Sequence, residues 1–298
     1  MSVPPASGGL RLGGREFPPG RSLVMAVINR TPDSFYPGAR QFDVEVAAEA
    51  VARAAAEGAD LVDIGGVKAG PGADVDATEE LRRVVPFLAR IRSEHPKLLL
   101  SVDTWRAEVA AAACAAGADL INDTWAGHDP GLPEVAAAHG AGLVCSHTGG
   151  AQPRTRPHRV NYGTSPEGVL DDVLTGLMGS ARRATEAGVP AESVLIDPTH
   201  DFGKNTLHGL TLLRRTEALV ALGYPVLMSL SRKDFVGETL DLPVDERLNG
   251  TLAATAVAAW CGAKVFRAHD VAATRQVIDM VASIRGERPP ARTTRGLA

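Results

Sequence analysis

The sequence predicts an α/β protein folded as a single (β/α)8 TIM barrel with a short N-terminal hairpin in front of it. Eight short apolar runs alternate with alanine-rich helical stretches along the 298 residues. Six of the runs follow a glycine, the residue best suited to the left-handed position after a helix. Apolar strands that alternate with helices are typical of a parallel sheet covered on both faces, and eight such units fit a closed barrel.

The predicted elements divide the chain into three segments. Residues 1–20 hold an N-terminal extension and the hairpin, in which "LRLGGREF" turns at Gly13 and Gly14. Residues 21–284 form the barrel, and residues 285–298, rich in proline and arginine, form a mobile tail. The predicted barrel strands are, in order, "SLVMAVINR", "ADLVDIGG", "LLLSVDT", "ADLINDTW", "GLVCSHT", "VLIDPT", "PVLMSLSRK" and "AKVFRAHD". The glycines before six of them are Gly58, Gly117, Gly140, Gly188, Gly223 and Gly262. The alternative is an open doubly wound sheet, but no G-x-G-x-x-G motif follows the first strand.

Composition excludes several classes of partner. A net charge of -4 and a pI near 6.1 give no reason to expect nucleic acid or an anionic membrane surface. No apolar run approaches the roughly 20 residues that span a bilayer, and no secretory signal opens the chain, so a cytoplasmic location is expected. The cysteines are three in number and never form C-x-x-C, which argues against a disulfide framework and a zinc site.

Nearly every predicted strand ends in a polar or charged residue. In a barrel these ends meet at one face, where such enzymes build their sites. Capping of the next helix is the alternative for any single Asp, Asn or Ser, but capping has no use for cations at a helix N-terminus. The residues are Asn29, Asp63, Asp103, Asn122, His147, Asp197, Ser231, Arg232, Lys233, Arg267 and His269.

The charges of these residues are unevenly distributed around the predicted barrel. Carboxylates and amides follow the second, third, fourth and sixth strands, whereas cations follow the seventh and eighth. Cations after strands seven and eight suit a phosphate, and the acceptors opposite them suit a planar heterocycle with amino and imino N–H donors. A pterin that carries a phosphate has both parts.

Two other chemistries are weighed against this interpretation. A metal hydrolase would draw its ligands from three histidines and two carboxylates, but no H-x-H occurs and the neighbouring cations disfavour a divalent site. Its candidate ligands are His147, His200, His269, Asp63 and Asp197. A nucleophilic enzyme lacks support, because no G-x-S-x-G is present and Cys145 lies inside an apolar strand.

The run "MAVINRTPDSF" resembles the first signature of dihydropteroate synthases. The resemblance continues in order through "DIGG", "SVDT", "IND", "SHTGG", "LIDP", "DFGKN", "SLSRK" and "FRAHD", and covers about residues 23–271. It implies a (β/α)8 barrel with a pterin pocket, usually homodimeric. The implied reaction joins 6-hydroxymethyl-7,8-dihydropterin diphosphate to p-aminobenzoate with release of Mg2+-bound diphosphate, a step of folate synthesis.

The resemblance also implies roles for individual residues. Asp103, Asn122, Asp197 and Lys233 would hold the pterin ring, with the two aspartates and the lysine also acting in catalysis. Asn29, Arg267 and His269 would hold the diphosphate, and Asn29 would contact its magnesium ion, the one implied cofactor. Phe202 would complete the substrate site. The expected loop contacts are Phe35, Lys68, Pro71 and Ser231.

The loops that would close over p-aminobenzoate depart from the family pattern. After the second strand, G-G-E-S-T-R-P-G is replaced by "GGVKAGPG", so Ala69 and Gly70 stand in place of threonine and arginine. After the seventh strand, Lys233 is followed by Asp234 instead of serine. After the sixth, D-P-G-F-G-F-G-K becomes "DPTHDFGK".

Three functions are compatible with an intact pterin floor beneath altered loops. The first is a dihydropteroate synthase whose activity is weakened by the loop changes. The second is a pterin-binding paralogue that lacks normal synthase activity or uses a different acceptor. The third, a methyltransferase that uses methyltetrahydrofolate, is disfavoured by the dense cations after strands seven and eight.

Overall fold

A computed structural model of the chain describes residues 9–31, 39–155, 160–165 and 167–295. Within these residues a two-stranded antiparallel hairpin precedes an eight-stranded parallel sheet with helices between its strands. The hairpin consists of β1 (Leu10–Leu12) and β2 (Arg15–Phe17). The sheet consists of β3 (Leu23–Asn29), β4 (Leu61–Gly65), β5 (Leu99–Asp103), β6 (Leu120–Asp123), β7 (Gly142–Ser146), β8 (Val194–Asp197), β9 (Leu227–Met228) and β10 (Val265–Ala268).

The helices lie between and after the strands of the sheet. They are α1 (Ala39–Ala56), α2 (Ala77–Glu94), α3 (Ala107–Ala115), α4 (Leu132–His139), α5 (Gly168–Glu186), α6 (Thr206–Arg214), α7 (Thr216–Val220), α8 (Asp234–Leu240), α9 (Leu248–Trp260) and α10 (Val271–Ile284). Short 3-10 turns cover Ala191–Ser193 and Val244–Glu246. No helix in the described part of the chain is long and apolar enough to cross a membrane.

The parallel sheet curls into a barrel. Its strand order is β8-β7-β6-β5-β4-β3-β10-β9, and every neighbouring pair is parallel. A parallel bridge between Ile196 and Val226 joins β8 to the residue before β9, so the ring closes. The predicted (β/α)8 barrel is therefore confirmed, and the open doubly wound alternative is wrong.

The glycine signal that predicted the strands has its expected physical cause. All six glycines before the strands have positive φ, between 65° and 109°, a region that side chains rarely enter. The hairpin turns at Gly13 and Gly14, with φ of 54° and 72°. Each helix therefore ends abruptly, and the chain re-enters the barrel as a buried strand.

The alternation of residues along each strand separates two cores. In β4, Val62 and Ile64 pack with the helices in the outer core, whereas Leu61 belongs to an inner cluster. The same period of two places Asp63 on the inner side, above Leu61. The inner cluster also contains Leu10, Leu12 and Phe17, so the hairpin closes the N-terminal end of the barrel.

Candidate active site

A cavity of ≈ 350 Å³ opens at the C-terminal ends of the barrel strands. Its walls combine strand-end side chains with residues of the following loops, as the ring of polar strand ends predicted. The lining residues are Val27, Asn29, Thr31, Val67, Lys68, Ala69, Gly70, Asp103, Asn122, Thr124, Asp197, Thr199, Phe202, Ser229, Ser231, Lys233, Arg267 and His269.

Asp63, fully buried beneath the cavity, organises one side of the site. Its Oδ1 accepts a hydrogen bond from Ser101 Oγ at 2.6 Å. Its Oδ2 accepts from Asn122 Nδ2 at 2.9 Å and from Arg267 Nε at 2.6 Å. Because the amide nitrogen of Asn122 is engaged below, its carbonyl oxygen is the atom left to accept from a ligand.

Asp103 shares the Arg267 guanidinium with Asp63. Arg267 Nη2 donates to Asp103 Oδ2 at 3.0 Å, and Thr124 Oγ1 donates to Oδ1 at 2.7 Å. Burial, reinforced by the Asp63 charge and opposed by Arg267, raises the pKa of Asp103 to about 6. Helix α3 takes its N-cap from Arg106, so Asp103 does not cap that helix.

Asp197 is the second buried carboxylate of the cavity. Its Oδ1 accepts the Thr199 backbone N–H at 2.7 Å, and its Oδ2 accepts from Ser229 Oγ at 2.9 Å. Burial raises the pKa of Asp197 above its ordinary value, and Lys233 opposes that rise. The hydrogen bonds hold the carboxylate in one orientation toward the cavity.

Lys233 stands opposite the carboxylates. Its Nζ lies 4.6 Å from the centre of the Phe202 ring, a cation–π contact. Burial lowers the pKa of Lys233, whereas Asp201 and Asp197 raise it. The ammonium therefore lies over an aromatic face and lines the cavity, beside the space where the predicted pterin ring would lie.

The side of the cavity assigned to diphosphate carries neutral donors as well as cations. His269 Nδ1 lies 3.0 Å from Ser231 Oγ, which also accepts the His269 backbone N–H at 3.2 Å. Burial and the nearby Arg267 lower the pKa of His269, so at neutral pH the ring is uncharged and its Nε2 is the nitrogen left for a ligand. Asn29, the last residue of β3, is exposed at the rim.

Magnesium fits this site as an ion shared with a ligand. Among the described residues no group of three or more His, Cys, Asp or Glu side chains could hold a metal ion. Mg2+ usually keeps most of its ligands from phosphate and water, with one or two from protein. The side-chain oxygen of Asn29 suits that single role.

The loop after β4 forms an apolar wall of the cavity. Val67, Lys68, Ala69 and Gly70 line it, and of these only Lys68 carries a charge. Val67 and Ala69 pack into a cluster built from four other loops, with Trp125 and Phe202 in edge-to-face contact at 5.0 Å. The cluster consists of Trp105, Trp125, Ala151, Val67, Ala69 and Phe202. This loop therefore meets the cavity with apolar surface where the family pattern has threonine and arginine.

The structure brings most of the sequence-predicted residues to one cavity. Those that line it are Asn29, Lys68, Asp103, Asn122, Asp197, Phe202, Ser231, Lys233, Arg267 and His269. Pro71 lies outside this lining, and Phe35 falls outside the described residues. His147 turns away, with Nε2 on Asp172 at 2.6 Å, and His200 is fully buried against Phe235.

The roles of Asp63, Thr124 and Ser229 were missed by the sequence analysis. Each hydrogen-bonds a polar residue of the site from a neighbouring strand or loop. A signal existed for Asp63, because a carboxylate in the middle of the apolar run "LVDIG" needs buried partners. Thr124 and Ser229 have no such signal, since a hydroxyl at a strand end is common.

Comparison with known proteins agrees with this geometry. A model of the family described as pterin binding enzyme matches residues 25–269. The chain belongs to this family. Over 285 residues this pterin-binding family member is 63% identical to a protein of Mycobacterium leprae named inactive dihydropteroate synthase 2, covering 96% of this chain and 98% of that protein.

Relatives named as dihydropteroate synthase without that qualifier are more distant. The protein from Bacillus subtilis is 40% identical over 253 residues, which is 84% of each chain. The structure of Xanthomonas albilineans dihydropteroate synthase with 4-aminobenzoic acid is 39% identical, with a TM-score of 0.81, and the match covers 91% of this chain and 96% of that one. This pterin-binding family member is thus a diverged dihydropteroate synthase-like paralogue.

Proposed function

We propose that this protein binds 6-hydroxymethyl-7,8-dihydropterin diphosphate with Mg2+ and has lost efficient coupling to p-aminobenzoate. One observation carries the proposal. The acceptors and cations suited to a pterin diphosphate line a single cavity, while the loop after β4 offers only Val67, Lys68, Ala69 and Gly70 to a second substrate.

The residues of the cavity suit the two parts of this ligand. Asp103, Asp197 and the Asn122 carbonyl offer acceptors for the N–H groups of the ring, and Lys233 offers donors. We assign Arg267, His269 and Asn29 to the diphosphate, where magnesium held by Asn29 would neutralise the leaving charge. Departure of diphosphate would leave positive charge on the pterin methylene, which Asp103 and Asp197 stabilise.

The acceptor side lacks the groups that would close the site over p-aminobenzoate. Ala69 and Gly70 supply neither a hydroxyl nor a guanidinium, and a lysine such as Lys68 does not reproduce an arginine fork. The name of the M. leprae relative, inactive dihydropteroate synthase 2, agrees with such a loss. We therefore assign pterin diphosphate binding as the retained activity.

The ordinary synthase reaction is the second candidate function. It is favoured by the complete set of pterin-side residues in the cavity and by the likeness to the B. subtilis synthase. On this view the loop changes reduce the rate of coupling without abolishing it, and the protein acts in folate synthesis in the cytoplasm.

A homodimer is part of the proposal. Helices α9 and α10 pack against each other and expose large apolar side chains on their outer faces. These are Val257, Trp260, Met280 and Ile284, with exposed fractions between 47% and 60%. Light scattering after size exclusion should give a dimer mass for the wild type and a monomer mass for Met280→Glu.

One assay decides between the two candidate functions. Purified protein is titrated calorimetrically with pterin diphosphate and Mg2+, then incubated with both and p-aminobenzoate while diphosphate and dihydropteroate are measured. Binding without dihydropteroate supports the proposal, whereas dihydropteroate at a rate typical of a synthase supports the second candidate. Absence of pterin binding, or unchanged binding in Asp103→Asn and in Arg267→Ala, contradicts the placement of the site.

A further inference from the structure

The loop between β8 and α6 carries a carboxylate that is bound to the start of another helix. Asp201 Oδ2 accepts the backbone N–H of Asp234 at 2.6 Å, and its Oδ1 accepts that of Phe235 at 3.3 Å. Its backbone has φ of 71°, and Thr199 in the same loop has φ of 50°. Residues with a side chain rarely adopt this backbone conformation, so the hydrogen bonds of its carboxylate hold Asp201 in a specific place.

That place is at the start of α8, between two residues of the cavity lining, Phe202 and Lys233, that are its and Asp234's neighbours in sequence. Lys233 directly precedes α8; burial lowers its pKa, and the charge of Asp201 opposes that change. Phe202, the neighbour of Asp201 in sequence, lies under the Lys233 ammonium and against the loop after β4. Through Phe202, Asp201 is therefore adjacent to the loop after β4, the loop that would meet the acceptor.

One cation near this rim of the cavity, Arg247, is already paired with a carboxylate of the protein. Arg247 Nη1 donates to Asp234 Oδ1 at 2.8 Å, and the guanidinium also donates to the backbone carbonyls of Leu242 and Arg232. Burial lowers the pKa of Lys233, and the negative charges of Asp201 and Asp197 oppose that change. A carboxylate brought to this rim would find Arg247 already paired with Asp234, and the carboxylates of Asp201 and Asp234 next to it.

We propose that Asp201 is a specificity-determining residue that excludes carboxylate-bearing acceptors from the site, so that the acceptor side admits neutral amines instead. This inference rests on the proposed function, because it assumes that the pterin diphosphate occupies the floor of the cavity. Its basis is the Asp201 carboxylate bound to the N–H groups of Asp234 and Phe235, together with the apolar wall of Ala69 and Phe202.

Two probes of equal shape and different charge test the proposal. These are 4-aminobenzoate and its neutral amide, 4-aminobenzamide, and the dissociation constant of each is measured by calorimetry on protein saturated with pterin diphosphate and Mg2+. The wild type should bind the amide at least about tenfold more tightly, since a nearby like charge opposes the benzoate. Asp201→Asn, which keeps the size of the side chain and tolerates positive φ, should reduce this preference about tenfold.

Two further variants complete the design. Asp201→Gly deletes the carboxylate from a backbone position that glycine adopts without strain, and should behave as Asp201→Asn does. Asp241→Asn makes the same chemical change at the opposite end of α8, again at positive φ, and should leave the preference unchanged. Thermal melts establish that all three variants are folded.

The outcomes separate this inference from the function on which it rests. If the wild type does not bind pterin diphosphate in the first titration, before either probe is added, the proposed function itself is contradicted. With that binding intact, equal affinity for the two probes, no binding of either, or an unchanged preference in both Asp201 variants would overturn the role of Asp201.

Discussion

Asp63 stabilises the site from beneath, since it is fully buried and touches the polar residues that a ligand would meet. Its two oxygens take three hydrogen bonds, two of them from Asn122 and Arg267. Burial of a carboxylate costs a large free energy unless its charge is paired and hydrogen-bonded in this way. The orientation of the pterin-side residues is thus a property of the Asp63 network.

Removal of Arg267 should destabilise the fold as well as the site. We expect Arg267→Ala to lower the free energy of unfolding by about 3 kcal/mol, because it leaves the Asp63 charge buried without its cation. Chemical denaturation measures this. The double variant with Asp63→Asn should recover part of the loss, and a double variant no more stable than the single one would contradict the explanation.

Affinity for the pterin should depend on pH through Asp103. Its pKa of about 6 means that the carboxyl is protonated below that pH, whereas the ligand's N–H donors require the ionised form. In acid, Asp103 must therefore lose its proton when the ligand binds. The affinity should fall as the pH drops from 7 to 5, by at most about tenfold per pH unit below 6.

Calorimetry across this range, in buffers of constant ionic strength, measures the effect. In Asp103→Asn the residue no longer titrates, so the slope between pH 7 and 5 should flatten while binding is weaker throughout. A slope equal to that of the wild type would assign the dependence to another group.

The loop after β4 is anchored at both ends by contacts within the protein. Its far end is anchored by Arg106, which donates to the Val75 carbonyl at 2.7 Å and pairs with the buried Glu80 of α2. Its near end packs Val67 and Ala69 into the cluster of Trp105, Trp125, Ala151 and Phe202. The loop therefore forms a wall of the site but carries no side chain that forms a bidentate contact with a diphosphate.

Restoring the family's arginine in this loop should increase the affinity for the diphosphate. We expect Gly70→Arg to tighten binding of pterin diphosphate about tenfold, because a charge-assisted hydrogen bond to the diphosphate contributes roughly 1.5 kcal/mol. Calorimetry with Mg2+ gives the change. The same variant should bind 6-hydroxymethylpterin, which has no diphosphate, as the wild type does; an equal gain for both ligands would show that the arginine acts elsewhere.

At the scale of the whole molecule, the hairpin and the cavity occupy opposite ends of one barrel. Leu10, Leu12 and Phe17 close the N-terminal end of the inner core, and the polar strand ends open at the other. Lys264, next to β10, bonds the carbonyls of Pro18 and Pro19 and ties the hairpin to the barrel. The barrel interior is thus filled with side chains below the site.

The hairpin should contribute to stability and not to ligand binding. We expect Phe17→Ala to lower the free energy of unfolding by about 3 kcal/mol, since the buried ring leaves a cavity in the inner core. The neighbouring exposed Glu16→Ala should change it by less than about 0.5 kcal/mol. Equal effects of the two variants in chemical denaturation would show that the hairpin does not belong to the core.

The sequence by itself determined the barrel and the set of residues at its active face. Both depend on local patterns: the glycine that ends each helix, the apolar run that follows, and the polar residue at the end of that run. These patterns can be recognised in the sequence because helix termination and strand alternation depend on residues that are neighbours in sequence.

Only the tertiary structure decided which of these residues act on one another. Arg267 meets Asp63 across 204 positions and Asp103 across 164, and Asp201 meets the start of α8 across 33. The sharing of one guanidinium by two carboxylates, and the placing of a carboxylate at the start of α8, depend on distances that closure of the barrel imposes. No local pattern encodes these distances, because they arise from packing between strands and loops that are far apart in the chain.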